Sequence, residues 1–154
     1  PRYLRSGMGD GGSCHPRDNI ALSFLANKVG MSFNYFDLIM QAREKHTEWL
    51  ADLFIKEVTE NKIPGIILGK SFKPGVDLQT GSAAILLANI LKAKKIAFKH
   101  YEFDYPKLIP AVYFIATQHQ QYTNIDFPPG SIVIDPFRYI NDQNDVKVIR
   151  IGAL

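Results

Sequence analysis

From Ile63 onward the chain alternates short apolar runs with a helical stretch, and this alternation restricts its fold more than any other feature. The runs "IPGIILGKSF", "KIAFKHYEF", "PAVYFIATQ", "SIVIDPF" and "VKVIRIG" are short and rich in β-branched and aromatic residues, whereas "GSAAILLANILKAK" has helical length and spacing. Strands that are apolar on both faces must be covered on both faces. That is the pattern of a parallel sheet with helical crossovers, so residues 61–154 are expected to form an α/β domain. No internal repeat or low-complexity stretch interrupts it.

Residues 1–60 read as helical. Asp18 is expected to cap a helix from about Asn19 to Val29, with Ile20, Phe24 and Leu25 facing inward and Gly30 stopping it. A second helix begins near Asn34. Its stripe of Phe36, Ile39, Met40, Arg43, Leu50, Leu53, Phe54 and Val58 ends before Asn61 and Pro64. A helix this long joins two domains or packs against its own copy in a dimer, and Phe36, Trp49, Leu50 and Phe54 read as core or dimer surface. The boundary between the two parts is expected near Glu60.

With 46% hydrophobic residues, the 154-residue chain has enough apolar material for a core. No apolar run approaches the roughly 18 residues of a membrane span, and no signal-peptide core follows Pro1-Arg2-Tyr3-Leu4-Arg5, so a membrane partner is not expected. A single cysteine makes no internal disulfide, and a reducing, cytoplasmic setting is expected. The net charge of +3 suits an anionic small molecule as well as a nucleic-acid surface. Lys92, Lys94, Lys95 and Lys99 form the only basic cluster and read as a solvated helix end and the next strand. Nucleic-acid binding is therefore not expected.

The sole cysteine lies in "GMGDGGSCHPRD", residues 7–18. Gly7, Gly9 and Gly12 match G-x-G-x-x-G, but the dinucleotide fingerprint needs a strand before it and an acidic residue about 20 positions on, at the end of the next strand. Neither is present. A thiol site has more support: Cys14 lies just ahead of a predicted helix, where free amides and the helix dipole favour a thiolate, and Arg17 adds a cation. The bland alternative is a buried cysteine acting as a small hydrophobe. His15 reads as a general base or a solvent-facing turn residue, and the four histidines have no zinc-ligand spacing. This start without methionine, with a loaded motif so near it, points to a piece of a longer protein.

These residues carry a resemblance. "GMGDGGSCHPRD" resembles the catalytic signature of the UDP-glucose/GDP-mannose dehydrogenase family, G-x-G-x-G-G-x-C followed by an apolar residue and P-K-D. "ILGKSFKPGVDLQTGSAA" resembles the family's second signature, L-G-x-A-F-K-P-x-T-D-D-x-R-x-S-P-A. "YFIATQHQQYTNIDFPPGSIVIDPFRYI" is similar to its late segment of threonine, histidine and a final Asp-x-x-Arg.

The resemblance implies oxidation of a nucleotide sugar from alcohol to carboxylate, using two NAD molecules in turn. It implies a fold in which the end of a helical, dimerising middle region is followed by a Rossmann-like domain that binds the nucleotide sugar. The NAD-binding N-terminal domain is not in this chain. By position, Cys14 matches the nucleophile that captures the sugar aldehyde, Asp18 the residue that activates or orients the hydrolytic water, and Arg17 a usual lysine. Tyr3, Leu4, Arg5 and Ser6, with Gly11 behind them, match the loop laid along the nucleotide sugar. Phe72 and Lys73 match the pair that reaches the substrate, and Arg138 a late arginine near the diphosphate. Taken without the resemblance, Lys73-Pro74-Gly75 is a turn with a solvated lysine.

There are departures. Asp77, Leu78, Gln79 and Thr80 stand where the family reads Asp-Asp-x-Arg, so the arginine directed at the cofactor pyrophosphate is lost, and His15 replaces an apolar residue. The alternative reading is a sugar-nucleotide-binding or regulatory module that no longer turns over.

Overall fold

The computed structural model describes residues 6–9 and 11–152. Two helices, α1 (Cys14–Lys28) and α2 (Tyr35–Asn61), precede a sheet built from β1 (Gly65–Leu68), β2 (Lys99–Tyr101), β3 (Val112–Ile115), β4 (Ile132–Asp135) and β5 (Lys147–Arg150). A third helix, α3 (Ala83–Ala93), joins β1 to β2. All strand pairs are parallel, in the order β2-β1-β3-β4-β5. This is the α/β architecture expected, with a strand in each of the five apolar runs.

The helix starts differ from expectation in one place. α1 begins at Cys14, not after Asp18, and its N-cap Ser13 makes no side-chain capping bond. Pro16 lies in the first turn, where the missing N–H has no helical acceptor to lose, so the proline marks no boundary. Asp18 is thus inside the helix and is not its cap. α2 starts as expected after Asn34, whose side chain accepts the Asp37 N–H at 3.1 Å while its amide donates to Ser23 Oγ at 2.8 Å. That one residue caps α2 and ties it to α1.

Alternation along the strands feeds two cores. Ile67, Val112, Phe114, Ile132 and Ile134 point to the side covered by α3 and the second half of α2, where Leu50, Phe54, Leu87 and Leu91 are fully buried. Gly65 is what lets α2 approach, since a methyl group there would come within 2.5 Å of the Phe54 ring. The other face, with Ile66, Leu68, Tyr113, Ile115 and Val133, is covered by Tyr122, Ile125, Phe127 and Ile140. These come from a short 3-10 turn and loops. Helical crossovers were expected throughout, but among the described residues α3 is the only α-helix inserted between strands; bulky side chains on irregular segments bury the second face instead.

Ile20, Phe24 and Leu25 do not face inward as expected: they are 60%, 70% and 50% exposed. α1 packs chiefly against α2, and among its described residues Asn19 and Ala26 alone are buried. Trp49 on α2 is 51% exposed, in contrast to buried Leu50 and Phe54. No helix among the described residues is long and apolar enough to cross a membrane.

Candidate functional site

In an open parallel sheet, ligands bind beyond the carboxyl ends of the strands, where the strand order reverses. Here β1 lies between β2 and β3, so that point is bounded by the loops after β1 and β3. The glycine-rich segment folds over this edge. A methyl group on Gly7 would meet the Phe137 ring at 3.4 Å, one on Gly11 the Phe72 carbonyl oxygen at 3.1 Å, and one on Gly12 the Phe72 ring at 3.2 Å. The Gly12 N–H donates to the Gly81 carbonyl at 3.2 Å, and His46 Nε2–H donates to the Gly7 carbonyl at 3.3 Å. Met8 is buried in the core beneath. Glycines thus allow the segment to lie flat between the loops after β1 and β4. A narrow cleft results, lined by Met8, Gly9, Gly11, Phe72, Lys73 and Phe137 among others.

Cys14 is the first residue of α1 and its thiol is exposed. Arg17 Nε donates to Asp18 Oδ1 at 2.8 Å, both side chains being well exposed. The Asp18 carboxylate, and less strongly the Cys14 sulfur, raise the Arg17 guanidinium above its ordinary value. The three residues therefore form one cluster at the start of α1. His15 is exposed, with Asn19 Nδ2 at 3.4 Å from its Nδ1.

The loop after β1 is fixed from several sides. Glu102, the first residue past β2, accepts the Lys70 N–H and, at 3.4 Å, the Ser71 N–H on Oε2. Its Oε1 accepts the Ser71 hydroxyl at 2.8 Å and His119 Nε2–H at 2.8 Å. The Thr117 hydroxyl donates to the Ser71 carbonyl at 2.7 Å, and the Phe72 N–H to the Leu78 carbonyl at 3.0 Å. Tyr122 donates its hydroxyl to the Glu102 carbonyl. Burial pushes the Glu102 carboxyl up, but the bonds from Ser71, Lys70 and His119 together outweigh it and hold it below its ordinary value.

Serine, histidine and carboxylate here do not form a nucleophile relay. A relay has the acid on one imidazole nitrogen and the hydroxyl on the other. In this cluster Glu102 Oε1 and Ser71 Oγ both face Nε2, at 2.8 and 3.1 Å. The cluster positions the loop.

Phe72 is half-buried and Lys73 exposed, with its Nζ 5.3 Å from the Phe72 ring centroid, a cation–π contact. Arg138 follows β4 in a left-handed backbone conformation, φ 60°. The buried Asp135 carboxylate holds it there by accepting the N–H groups of Phe137 and Arg138 on Oδ1 and of Tyr139 and Ile140 on Oδ2. The Arg138 guanidinium is exposed and reaches the Gly152 carbonyl at 3.4 Å, outside the cleft lining. Ser6 is half-buried, and Tyr3, Leu4 and Arg5 lie outside the described residues. Asp77, Leu78, Gln79 and Thr80 are exposed on the turn ahead of α3. Glu102 and the anchoring role of Asp135 escaped sequence reasoning. Their only signal is a carboxylate directly at a strand's carboxyl end.

No protein-family model matches the chain. It is 28% identical over 126 residues to the UDP-glucose 6-dehydrogenase TuaD of Bacillus subtilis, covering 80% of this chain and 27% of that protein. It is 32% identical over 89 residues to the UDP-glucose 6-dehydrogenase AglM of Haloferax volcanii, covering 58% and 21%. The chain spans about a quarter of the length of these curated relatives. Among solved structures, a GDP-mannose dehydrogenase from Pseudomonas aeruginosa superposes with a TM-score of 0.74 at 19% identity, over 95% of this chain and 41% of that one. A UDP-glucose dehydrogenase from Pyrobaculum islandicum superposes with a TM-score of 0.72 at 20% identity, over 95% and 38%. At these identities the superpositions speak for the fold.

Proposed function

Since this chain is a homologue of the UDP-glucose/GDP-mannose 6-dehydrogenases, we propose that it is the nucleotide-sugar-binding portion of such an oxidoreductase, carrying the reaction's cysteine. In this reading residues 1–60 end the helical middle region and residues 61–154 form the Rossmann-like substrate domain. The observation that carries it is the seating of the cysteine segment on the second signature, with Gly12 bonded to Gly81 and stacked on Phe72. Two motifs whose nearest ends, Asp18 and Ile67, are 49 residues apart in sequence meet around one cleft.

The chemistry assigned to these residues is limited and specific. Lys73, beside the cleft, supplies a charge-assisted donor to the diphosphate of a UDP-sugar, while Phe72 supplies a flat apolar wall. Arg138 is a second cation near that edge, with a long contact to the Gly152 carbonyl. Cys14 Sγ, as the thiolate, adds to the carbonyl carbon of the sugar aldehyde, and the resulting oxyanion takes a proton, leaving a thiohemiacetal on sulfur. Asp18, next to Arg17 one helical turn from Cys14, orients the water that later releases the acid.

NAD, the hydride acceptor the family implies, does not fit the described residues: the amides after β1 are taken by Glu102. Its domain belongs to the full-length parent, as does turnover. The exposed Phe24, Leu25 and Trp49 suit a second copy of the chain, hence a homodimer. A lone exposed thiol suits a reducing, cytoplasmic setting. The test is Cys14→Ser in the full-length parent. The expected result is loss of uronic-acid formation with substrate binding retained, because a serine hydroxyl is a far poorer nucleophile at neutral pH. Formation of the acid at the parent's rate removes Cys14 from the reaction and leaves the binding-module reading.

A further inference from the structure

The loop after the first strand of a nucleotide-binding α/β sheet usually offers its free backbone amides to a phosphate. In this chain those amides already have an anion. The Glu102 carboxylate, projecting from the end of the neighbouring strand, takes the N–H groups of Lys70 and Ser71 on Oε2. Its other oxygen is held by Ser71 Oγ and by His119 Nε2–H, each at 2.8 Å. His119 is 2% exposed and the Glu102 side chain 19%, so this anion is built into the fold.

We propose that Glu102 is a specificity-determining internal anion: it fills the phosphate position at the end of β1, so that a diphosphate can enter only on the Lys73 side. The same contacts make it a positioning residue. With the Lys70 and Ser71 amides pinned by Glu102, the Ser71 carbonyl by Thr117 and the Phe72 amide by Leu78, the chain turns so that the Phe72 ring lies under Gly12 and Lys73 lies beside the cleft. A bare amide pair at β1 would compete for the same diphosphate in the wrong place. Glu102 removes that competitor by charge repulsion and by occupancy. The part about Lys73 rests on the reading above; the part about the amides does not.

The experiment is a titration of the chain with inorganic phosphate at neutral pH, following backbone amide resonances. In the unmodified chain the Lys70 and Ser71 amides should not respond. In Glu102→Ala a saturable shift should appear at those two amides, because the vacated donors accept the added anion. Circular dichroism establishes that the variant is folded. Should Glu102→Ala fail to fold, Glu102→Asp serves instead: its carboxylate is one methylene too short to reach both the amides and His119, and a weaker gain of the same kind is expected. A merely structural glutamate would give no anion-dependent recovery of these resonances. A response of Lys70 and Ser71 in the unmodified chain, or none in a folded variant, overturns the proposal. A gain at these amides in a chain that binds no UDP would sink the nucleotide-sugar reading and leave the role of Glu102 standing.

Discussion

The amide of Gly12 and the carbonyl of Gly81 are joined by a 3.2 Å hydrogen bond, and a methyl group on Gly81 would come within 2.1 Å of the Gly12 carbonyl oxygen. Gly81 also has φ +72°, a left-handed conformation that costs an ordinary residue about 1–2 kcal/mol. Gly81→Ala should therefore lower the unfolding free energy by at least about 1–2 kcal/mol and release the cysteine segment from the sheet edge. Urea denaturation of the chain reads the first effect and amide shifts of Gly11 and Gly12 the second. Unchanged stability with unchanged shifts would mean that this contact does not hold the cleft together.

Acid should weaken the fold in two separable stages. Burial lowers the His100 imidazole below its ordinary 6.5, with Lys70 adding to the effect and the bond to the Gly69 carbonyl opposing it. Its folded form binds fewer protons than the unfolded chain, so its contribution is complete above about pH 6.5 and falls as pH drops toward the lowered value. Glu102, also lowered, contributes fully above its ordinary 4.5 and loses that contribution as pH falls through its folded value. The expected melting temperature declines first just under pH 6.5 and again below pH 4.5. His100→Gln, which keeps a donor for Gly69, should flatten only the first stage. A decline confined to pH below 4 would contradict the His100 assignment.

The exposed apolar residues of α1 and α2 predict self-association. Phe24 is 70% exposed and Ile20 60%, on a helix that touches little but α2. Light scattering on the chain should find a dimer, and Phe24→Asp should shift it to monomer without loss of helix signal. A monomer at all concentrations would assign the face to other parts of the parent.

Period and composition made the sheet legible: each apolar run became a strand, because strands buried on both faces carry their signal locally. The start of α1 was not, since Asp18 has the residue type of an N-cap although the helix already begins at Cys14 with Pro16 in its first turn. The inward placement of Ile20, Phe24 and Leu25 failed for another reason. Spacing reports that a face is apolar but not what covers it, and α1 leaves these three side chains exposed. Phe72 and Lys73 were singled out through their motif and line the cleft, but Glu102 was not, because its partners Lys70, Ser71 and His119 come from the ends of β1 and β3. Contacts between strand ends have no periodicity to read.

The central claim is that Lys73, beneath the cysteine segment, takes the diphosphate of a nucleotide sugar. Titration of the chain with UDP, UDP-glucose, GDP and NAD, followed by calorimetry and amide shifts, tests it most directly. The account predicts saturable binding of one diphosphate nucleotide with shifts centred on Met8, Gly11, Phe72 and Lys73, and no such response to NAD. Lys73→Ala should weaken that binding roughly ten- to a hundredfold, the worth of one charge-assisted hydrogen bond. Equal weak binding of all four compounds, unmoved by Lys73→Ala, would contradict it.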